Sequence, residues 1–574
     1  MTELSYYLEQ VLETLPEKED RPFLNYAVKK AEKSNLLVIE APTGYGKSAI
    51  SQTIALRTLE EGFKCIVAFP LRSLLEDQLS KFRNMLSKLG HEERNVGVRY
   101  MHHPESKYLS RPISLTTVDT LSLTLFGIAP EDLEVALKYY DGTLTRSIGH
   151  YLFSRSMVLL SDIVLDEVHL LSDMTKSLNF LIALIWIMAG HGGRAIFMSA
   201  TIPRALENLL KEEGKDVGLE FAKFSDEPDK NFLEERRSKK YELSLERLGD
   251  DKFERILGWL KEGRREGFRR SIVAFNTVSE AISFYELAKE RLDIEKSKML
   301  LVHSRFTGED REKKRDKIDE LKKSDEYVIV ATQVIEAGVD ISSDLFISDL
   351  APASSLIQRL GRFLRYKEEK EGRIYLWHEV KEKGKYKEGE KYKGVYYLDL
   401  LERTLEFLEN KSIRFHDPES YQPLLDSVYD QNSFSLNEKD IGEFISIQNT
   451  LENPDGAIEK FMECEGSFVR EDVLVPAIPC SLWREGMTLK EIEGHLVPMS
   501  LSTIFGLKPM EELVVDEKDP NRALKITLDE KFWQNKKKVL RKVLSSKFIA
   551  FLVEGSYDED LGLVVKRGEG SELL

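Results

Sequence analysis

Cysteine is nearly absent from this sequence. There are three, Cys65, Cys464 and Cys480, odd in number and far apart. They cannot by themselves build a disulfide framework, a four-cysteine zinc site or an iron–sulfur cluster. A reducing, cytoplasmic compartment is the expectation. Long apolar runs are missing as well. The most apolar stretch, Phe180 to Ala189, is too short for a membrane span, which needs about 20 residues, so it reads as a buried helix and no membrane partner is expected. Residues 1–15 lack the basic-then-apolar order of a signal peptide; Leu4, Leu8, Val11, Leu12 and Leu15 suit an amphipathic helix instead. Positive charge is in deficit, with 83 Lys and Arg against 99 Asp and Glu, a net charge of -16. That excludes whole-surface attraction to nucleic acid but leaves room for a local basic channel.

What is present is a long chain with ample core material. At 574 residues and 42% hydrophobic, it predicts about three domains. Charged residues reach 32%, dominated by Lys and Glu, a thermophilic leaning. From residue 36 the pattern is strand, turn, helix. Leu36-Leu-Val-Ile39, Cys65-Ile-Val-Ala-Phe69, Ile163-Val-Leu165 and Ala195-Ile-Phe-Met198 are continuous apolar runs. Such runs between helical segments indicate a parallel sheet covered on both faces, an α/β fold with ligands at the carboxyl ends of the strands. The pattern restarts with Ser271–Phe275, Met299–Val302, Tyr327–Val330, Leu345–Ile347 and Arg373–Trp377, a second sheet. The expected domains are 1–223, 241–380 and a smaller C-terminal one at 395–574. Phe224 to Lys240 reads as a polar linker, and Lys381 to Gly394 as a mobile loop.

Four motifs follow the strands in a fixed order. Ala41-Pro42-Thr43-Gly44-Tyr45-Gly46-Lys47-Ser48 lies between a strand and a helix, the context of a phosphate loop. Gly44 and Gly46 let backbone N–H groups approach an anion, Lys47 neutralises phosphate oxygens, and the Ser48 hydroxyl ligates Mg2+. Alone the motif is also compatible with a glycine-rich turn. Asp166-Glu-Val-His169 adds a magnesium ligand in Asp166, a carboxylate to polarise water in Glu167, and a coupling residue in His169. Ser199-Ala-Thr201 offers hydroxyls to link the two carboxylates to the next strand. Gln358-Arg359-Leu-Gly-Arg362-Phe-Leu-Arg365 puts arginines at three- to four-residue spacing, on one face if helical; Arg362 and Arg365 are the candidates for charge on a γ-phosphate.

The set resembles the superfamily 2 DExH helicases, and within them the CRISPR-associated helicase of type I interference systems. The narrower match rests on Ala68–Arg72, Thr116–Asp119, His303–Phe306, Ala331–Asp340, Ala351–Ile357 and Tyr557–Leu563. The resemblance implies two tandem RecA-like domains, ATP with Mg2+, Asp340 and Gln358 beside the nucleotide, and a single-stranded DNA groove lined by Pro70, Arg72, Thr116, Thr117 and Thr332. It also implies a CRISPR surveillance complex with guide RNA as partner. Full-length members begin with an HD nuclease domain, for which no histidine set is visible here; His416-Asp417 reads as incidental. A stand-alone helicase subunit with the HD nuclease on a separate chain is therefore expected. Arg21-Pro-Phe-Leu-Asn25 shows no adenine-reading glutamine. A DExH helicase of DNA repair or RNA processing is the alternative, and a nucleotide-gated scaffold a further one, opposed by intact Lys47, Glu167 and Arg365.

Overall fold

The computed structural model describes residues 3–15, 21–100, 105–143, 151–172, 174–336, 338–380, 389–449, 454–545 and 547–565. The chain forms two compact units, residues 1–237 with 417–471, and residues 238–416 with 472–574.

In the first unit the apolar runs pair into one parallel sheet: β1 (Leu36–Glu40), β2 (Lys64–Phe69), β3 (Val96–Arg99), β4 (Ile113–Thr117), β5 (Ser161–Leu165), β6 (Ala195–Ser199) and β7 (Glu220–Lys223), in the order β3-β4-β2-β5-β6-β1-β7. β6 is buried along its whole length, which is why it carries a continuous apolar run rather than an alternating one; β4 is equally buried but places Ser114, Thr116 and Thr117 among its apolar residues. The amphipathic helix Leu4–Glu13 buries Leu4, Tyr7, Leu8 and Val11 against the helix Ser48–Glu60. The apolar stretch lies in helix Thr175–Gly190, buried nearly all round. Its outer side is covered by residues 417–471: Asn179 Oδ1 accepts from the Asn437 N–H at 2.9 Å, and Lys176 Nζ donates to the Cys464 carbonyl at 2.9 Å. The 395–574 stretch, expected as one domain, is thus divided, with 417–471 completing the first unit.

The second unit holds another parallel sheet of β8 (Lys240–Arg247), β9 (Arg270–Ala274), β10 (Met299–Val302), β11 (Tyr327–Ala331), β12 (Leu345–Asp349) and β13 (Glu371–His378), in the order β10-β11-β9-β12-β13-β8. β8 escaped the sequence reading because it is an edge strand with no fully buried residue, so no apolar periodicity marks it. Of the expected loop Lys381–Gly394, residues 381–388 lie outside the described residues. Residues 389–394 are ordered by charge: Lys393 Nζ lies 2.8 Å from Asp349, 2.9 Å from Glu280 and 2.6 Å from Glu379. C-terminally, Val497–Ser500, Leu474–Pro479, Phe548–Val553, Glu511–Val515 and Ala523–Thr527 form a five-stranded mixed sheet. The hairpin Gly555–Asp558 with Gly562–Val565 packs on the His303–Phe306 loop, where Leu563 N–H donates to the Arg305 carbonyl at 2.9 Å. Tyr557 O–H donates to Asp310 at 2.5 Å.

Candidate nucleotide site

The phosphate loop turns back from β1 into helix Ser48–Glu60. Ala41 N–H donates to the Ser199 carbonyl at 3.0 Å, tying the loop's start to β6. Gly44 and Gly46 have φ of +82° and +99°, the left-handed region that favours glycine. No side chain caps the helix and its first turn has no acidic residue, which leaves its positive end to an anion. Tyr45 points the other way, into the core, 1% exposed. Its hydroxyl donates to Asp229 at 3.1 Å and accepts the Phe23 N–H at 3.2 Å.

That contact corrects the linker reading of 224–240. Phe224, Phe232 and Leu233 are buried in the first unit's core beside Phe23 and Tyr45. The ring centroids of Phe224 and Phe232 stand 5.0 and 5.1 Å from that of Tyr45. The polar composition hid three apolar anchors at helical and turn spacing. The segment through Arg237 is a wall of the loop, not a tether.

Lys47 Nζ donates to the Ala41 carbonyl at 3.0 Å and lies 3.9 Å from Glu167 Oε1. Asp166 and Glu167 follow β5, with Asp166 N–H bonded to the Ala68 carbonyl and Val168 N–H to the Met198 carbonyl, so the box sits at the carboxyl ends of three adjacent strands. Glu167 has φ +53°, a conformation that costs a non-glycine residue about 1 kcal/mol or more and is concentrated at functional sites. Its N–H donates to Asp166 Oδ1 at 2.9 Å. Glu167 Oε2 is 3.4 Å from His169 Nδ1, which is 3.3 Å from Ser199 Oγ. Ser199 O–H donates to the Thr201 carbonyl at 2.9 Å. The Ser199–Thr201 stretch therefore reaches the box through His169, not directly through the carboxylates. Thr201 Oγ1 is buried with no hydrogen-bond partner among the described residues.

Burial raises the Asp166 carboxyl to about 7, and the Glu167 charge beside it pushes the same way against Lys47. Burial lowers His169 to about 4, opposed by Glu167, so the imidazole is neutral at pH 7. Two crowded carboxyls beside Lys47 make an oxygen-rich site. That fits a hard divalent cation such as Mg2+, which Asp166 and Ser48 would hold.

Among the expected strand-contacting residues, the Pro70 carbonyl accepts from Arg470 at 3.2 Å. Arg72 pairs with Glu76 at 2.6 Å and lies over the Tyr100 ring, a third exposed. Thr116 is fully buried and its hydroxyl donates to the Arg99 carbonyl at 2.6 Å, so it has no hydroxyl to offer a strand. Thr117 Oγ1 caps helix Val118–Leu125. Thr332, in the second unit, is 2% exposed.

In the second unit the arginine motif departs from one helical face. Helix Ala353–Leu360 ends before Gly361; the chain then turns so that Arg362 C=O accepts from Ser343 N–H and Leu364 N–H donates to Ser343 C=O. Gln358 is 3% exposed. Arg359 is fully buried, 2.9 Å from Glu336, 2.8 Å from Asn276 Oδ1 and 3.1 Å from Tyr396 Oη. Arg362 donates to the Ile335 and Glu336 carbonyls. Arg365 Nε pairs with Asp340 at 3.0 Å, and that carboxylate, 39% exposed, also meets Lys322. His416 Nε2–H donates to the Phe363 carbonyl while Asp417 pairs with Arg237, and the two do not act as a pair.

The family model for DEAD/DEAH box helicases matches residues 22–209, and the model for the C-terminal part of the CRISPR-associated nuclease/helicase Cas3 matches residues 268–368. The chain carries a Cas3-like helicase core. The putative CRISPR-associated nuclease/helicase Cas3 of Methanocaldococcus jannaschii is 26% identical over 446 residues, 70% of this chain and 53% of that protein; the chain thus spans about half the length of this relative. The Cas3-like fold is shared with T. fusca Cas3 solved with ATP, TM-score 0.64 at 15% identity, covering 97% of this chain and 72% of the other. A chain of a CRISPR RNA-guided surveillance complex in a pre-nicking state aligns with TM-score 0.59 at 17% identity, over 95% of this chain and 70% of that one. Two α/β parallel sheets and a C-terminal accessory region are the Cas3-like architecture. Among the described residues no helix is long and apolar enough to cross a membrane.

Proposed function

We propose that this chain hydrolyses ATP with Mg2+ to move along single-stranded DNA, acting with a CRISPR surveillance complex. The observation that carries the reading is the convergence of Lys47, Asp166, Glu167 and His169 at the strand ends of one sheet, with Lys47 3.9 Å from Glu167. In this reading the loop amides and Lys47 take the phosphates. Asp166 and Ser48 hold the cation, which offsets phosphate charge, and Glu167 orients the attacking water. Neutral His169, between Glu167 and Ser199, relays the occupancy of the box to β6. Arg72, Thr117 and Thr332 contact the strand's phosphates. Arg365 is the γ-phosphate arginine, since its partner Asp340 is a partly exposed carboxylate that an anion can replace; Arg362, held by main-chain carbonyls, positions that turn. The Cas3-like match and the surveillance-complex relative support the CRISPR setting. Cutting is assigned to an HD nuclease on a separate chain.

The test is NTP turnover with single-stranded DNA, duplex DNA and RNA side by side. Lys47→Ala or Glu167→Gln is expected to abolish single-strand-stimulated turnover, and near-normal rates in either variant refute the site. RNA as the better stimulant favours the alternative, a DExH helicase of RNA processing. Metal-dependent cleavage by the purified chain refutes the separate nuclease.

A further inference from the structure

We infer that Arg236 is a nucleotide-binding cation, a second positive charge on the phosphate loop from outside the helicase motifs. The inference rests on the nucleotide site proposed above and adds a residue to it. Arg236 lies in the last turn of helix Lys230–Arg237, in the stretch whose sequence reads as a linker. Its Nη2 stands 2.8 Å from the point that a Cβ on Gly44 would occupy. The guanidinium therefore lies directly on the loop backbone, and a side chain at position 44 would collide with it.

The arginine is held there. Its guanidinium is 5.1 Å from the Phe232 ring centroid, its Nε is 3.5 Å from Glu235, and the side chain is 12% exposed. Phe232 is itself locked against Tyr45, the residue between the two loop glycines. The helix, the aromatic wall and the loop thus form one unit that fixes where the guanidinium sits. Bringing a second cation to a loop that already carries Lys47 raises the local positive potential. A surface made this way suits a polyanion, and a planar fork with several N–H donors suits phosphate oxygens. Its ligand is the phosphate chain of a nucleoside triphosphate or diphosphate, so its contribution is blind to the base.

The test uses the full chain and compares ADP, ATP and GTP binding by wild type, Arg236→Met and Arg236→Lys, with thermal unfolding as a control. Methionine keeps an apolar stem on Phe232 and removes the charge. The expected result is that Arg236→Met weakens binding of all three nucleotides about tenfold, the usual loss for one charge-assisted contact. Arg236→Lys should recover part of that loss, and the unfolding midpoint should stay close to wild type. Unchanged binding in Arg236→Met overturns the inference while leaving the proposed function standing. A loss confined to ATP, with GTP unaffected, also overturns it, because it assigns Arg236 to the base. Wild-type protein that binds no nucleotide at all refutes the function reading and this inference together.

Discussion

The carboxylates at the strand ends of the first unit are crowded against each other, whereas the arginines of the second are largely engaged with acids and carbonyls. Asp166 and Glu167 share one lysine, and burial lifts Asp166 to about 7. Arg359, by contrast, is surrounded by Glu336, Asn276, Tyr396 and the Asp349 carbonyl. An under-compensated buried cluster is one that a ligand can complete; a saturated one is scaffold. The difference separates residues that look equivalent in Q-R-x-G-R-x-x-R. Arg359 ties the motif's helix to Glu336 and to Tyr396, while the acid that Arg365 meets, Asp340, is partly exposed.

The largest expected effect divides those two arginines. Arg365→Ala should lower DNA-stimulated kcat by about a thousandfold or more, the scale of an arginine acting on a γ-phosphate, with the unfolding midpoint unmoved. Arg359→Met should instead destabilise the protein by about 3–5 kcal/mol, because Glu336 is left as an uncompensated buried charge. Denaturant unfolding and turnover measured on both variants check this. A stable but inactive Arg359→Met exchanges the two roles.

A second effect concerns pH. Glu40 closes β1 just before the phosphate loop; burial lifts its carboxyl from 4.5 to about 7, against the pull of Lys223 and the Ile202 N–H. The folded state then holds a proton that the unfolded chain releases between about pH 4.5 and 7. Glu40's contribution to stability is therefore complete below the lower value and is lost as pH rises through the upper one. Glu40→Gln, which is uncharged at every pH, should flatten the stability profile across that window. An unchanged slope in chemical denaturation from pH 5 to 7.5 refutes the assignment.

How much of this was legible in the sequence follows from the same physics. Strands buried on both faces announce themselves as apolar runs, so β1, β2, β5 and β6 could be read directly. The edge strand β8, half-exposed along its length, could not. Lys47, Asp166 and Glu167 were legible because their chemistry fixes residue type at set distances from strand ends. The Tyr45–Asp229 contact and the Arg236 approach to Gly44 were not, since they join residues nearly two hundred positions apart through a segment of polar composition. The division of 395–574 was hidden for a related reason: the cover of helix Thr175–Gly190 comes from a distant stretch, and nothing local in 417–471 names its partner.

The smallest effect bears on why the first unit tolerates its crowding. Glu167 stands at φ +53° between Asp166 and Val168, whose N–H groups join the neighbouring strands, and its own N–H donates to Asp166 Oδ1. The surrounding ladder over-determines that backbone, so the strain persists. Replacing Glu167 with glycine removes the steric conflict and also one of the two crowded carboxylates. Glu167→Gly should therefore be more stable than Glu167→Ala by about 1 kcal/mol, as expected where a left-handed φ is required, while both variants lose turnover. If alanine is tolerated as well as glycine by thermal unfolding, the loop relaxes out of the left-handed region once the acid is gone. The strain would then be imposed by the carboxylate's contacts with Lys47 and His169, not by the strands on either side.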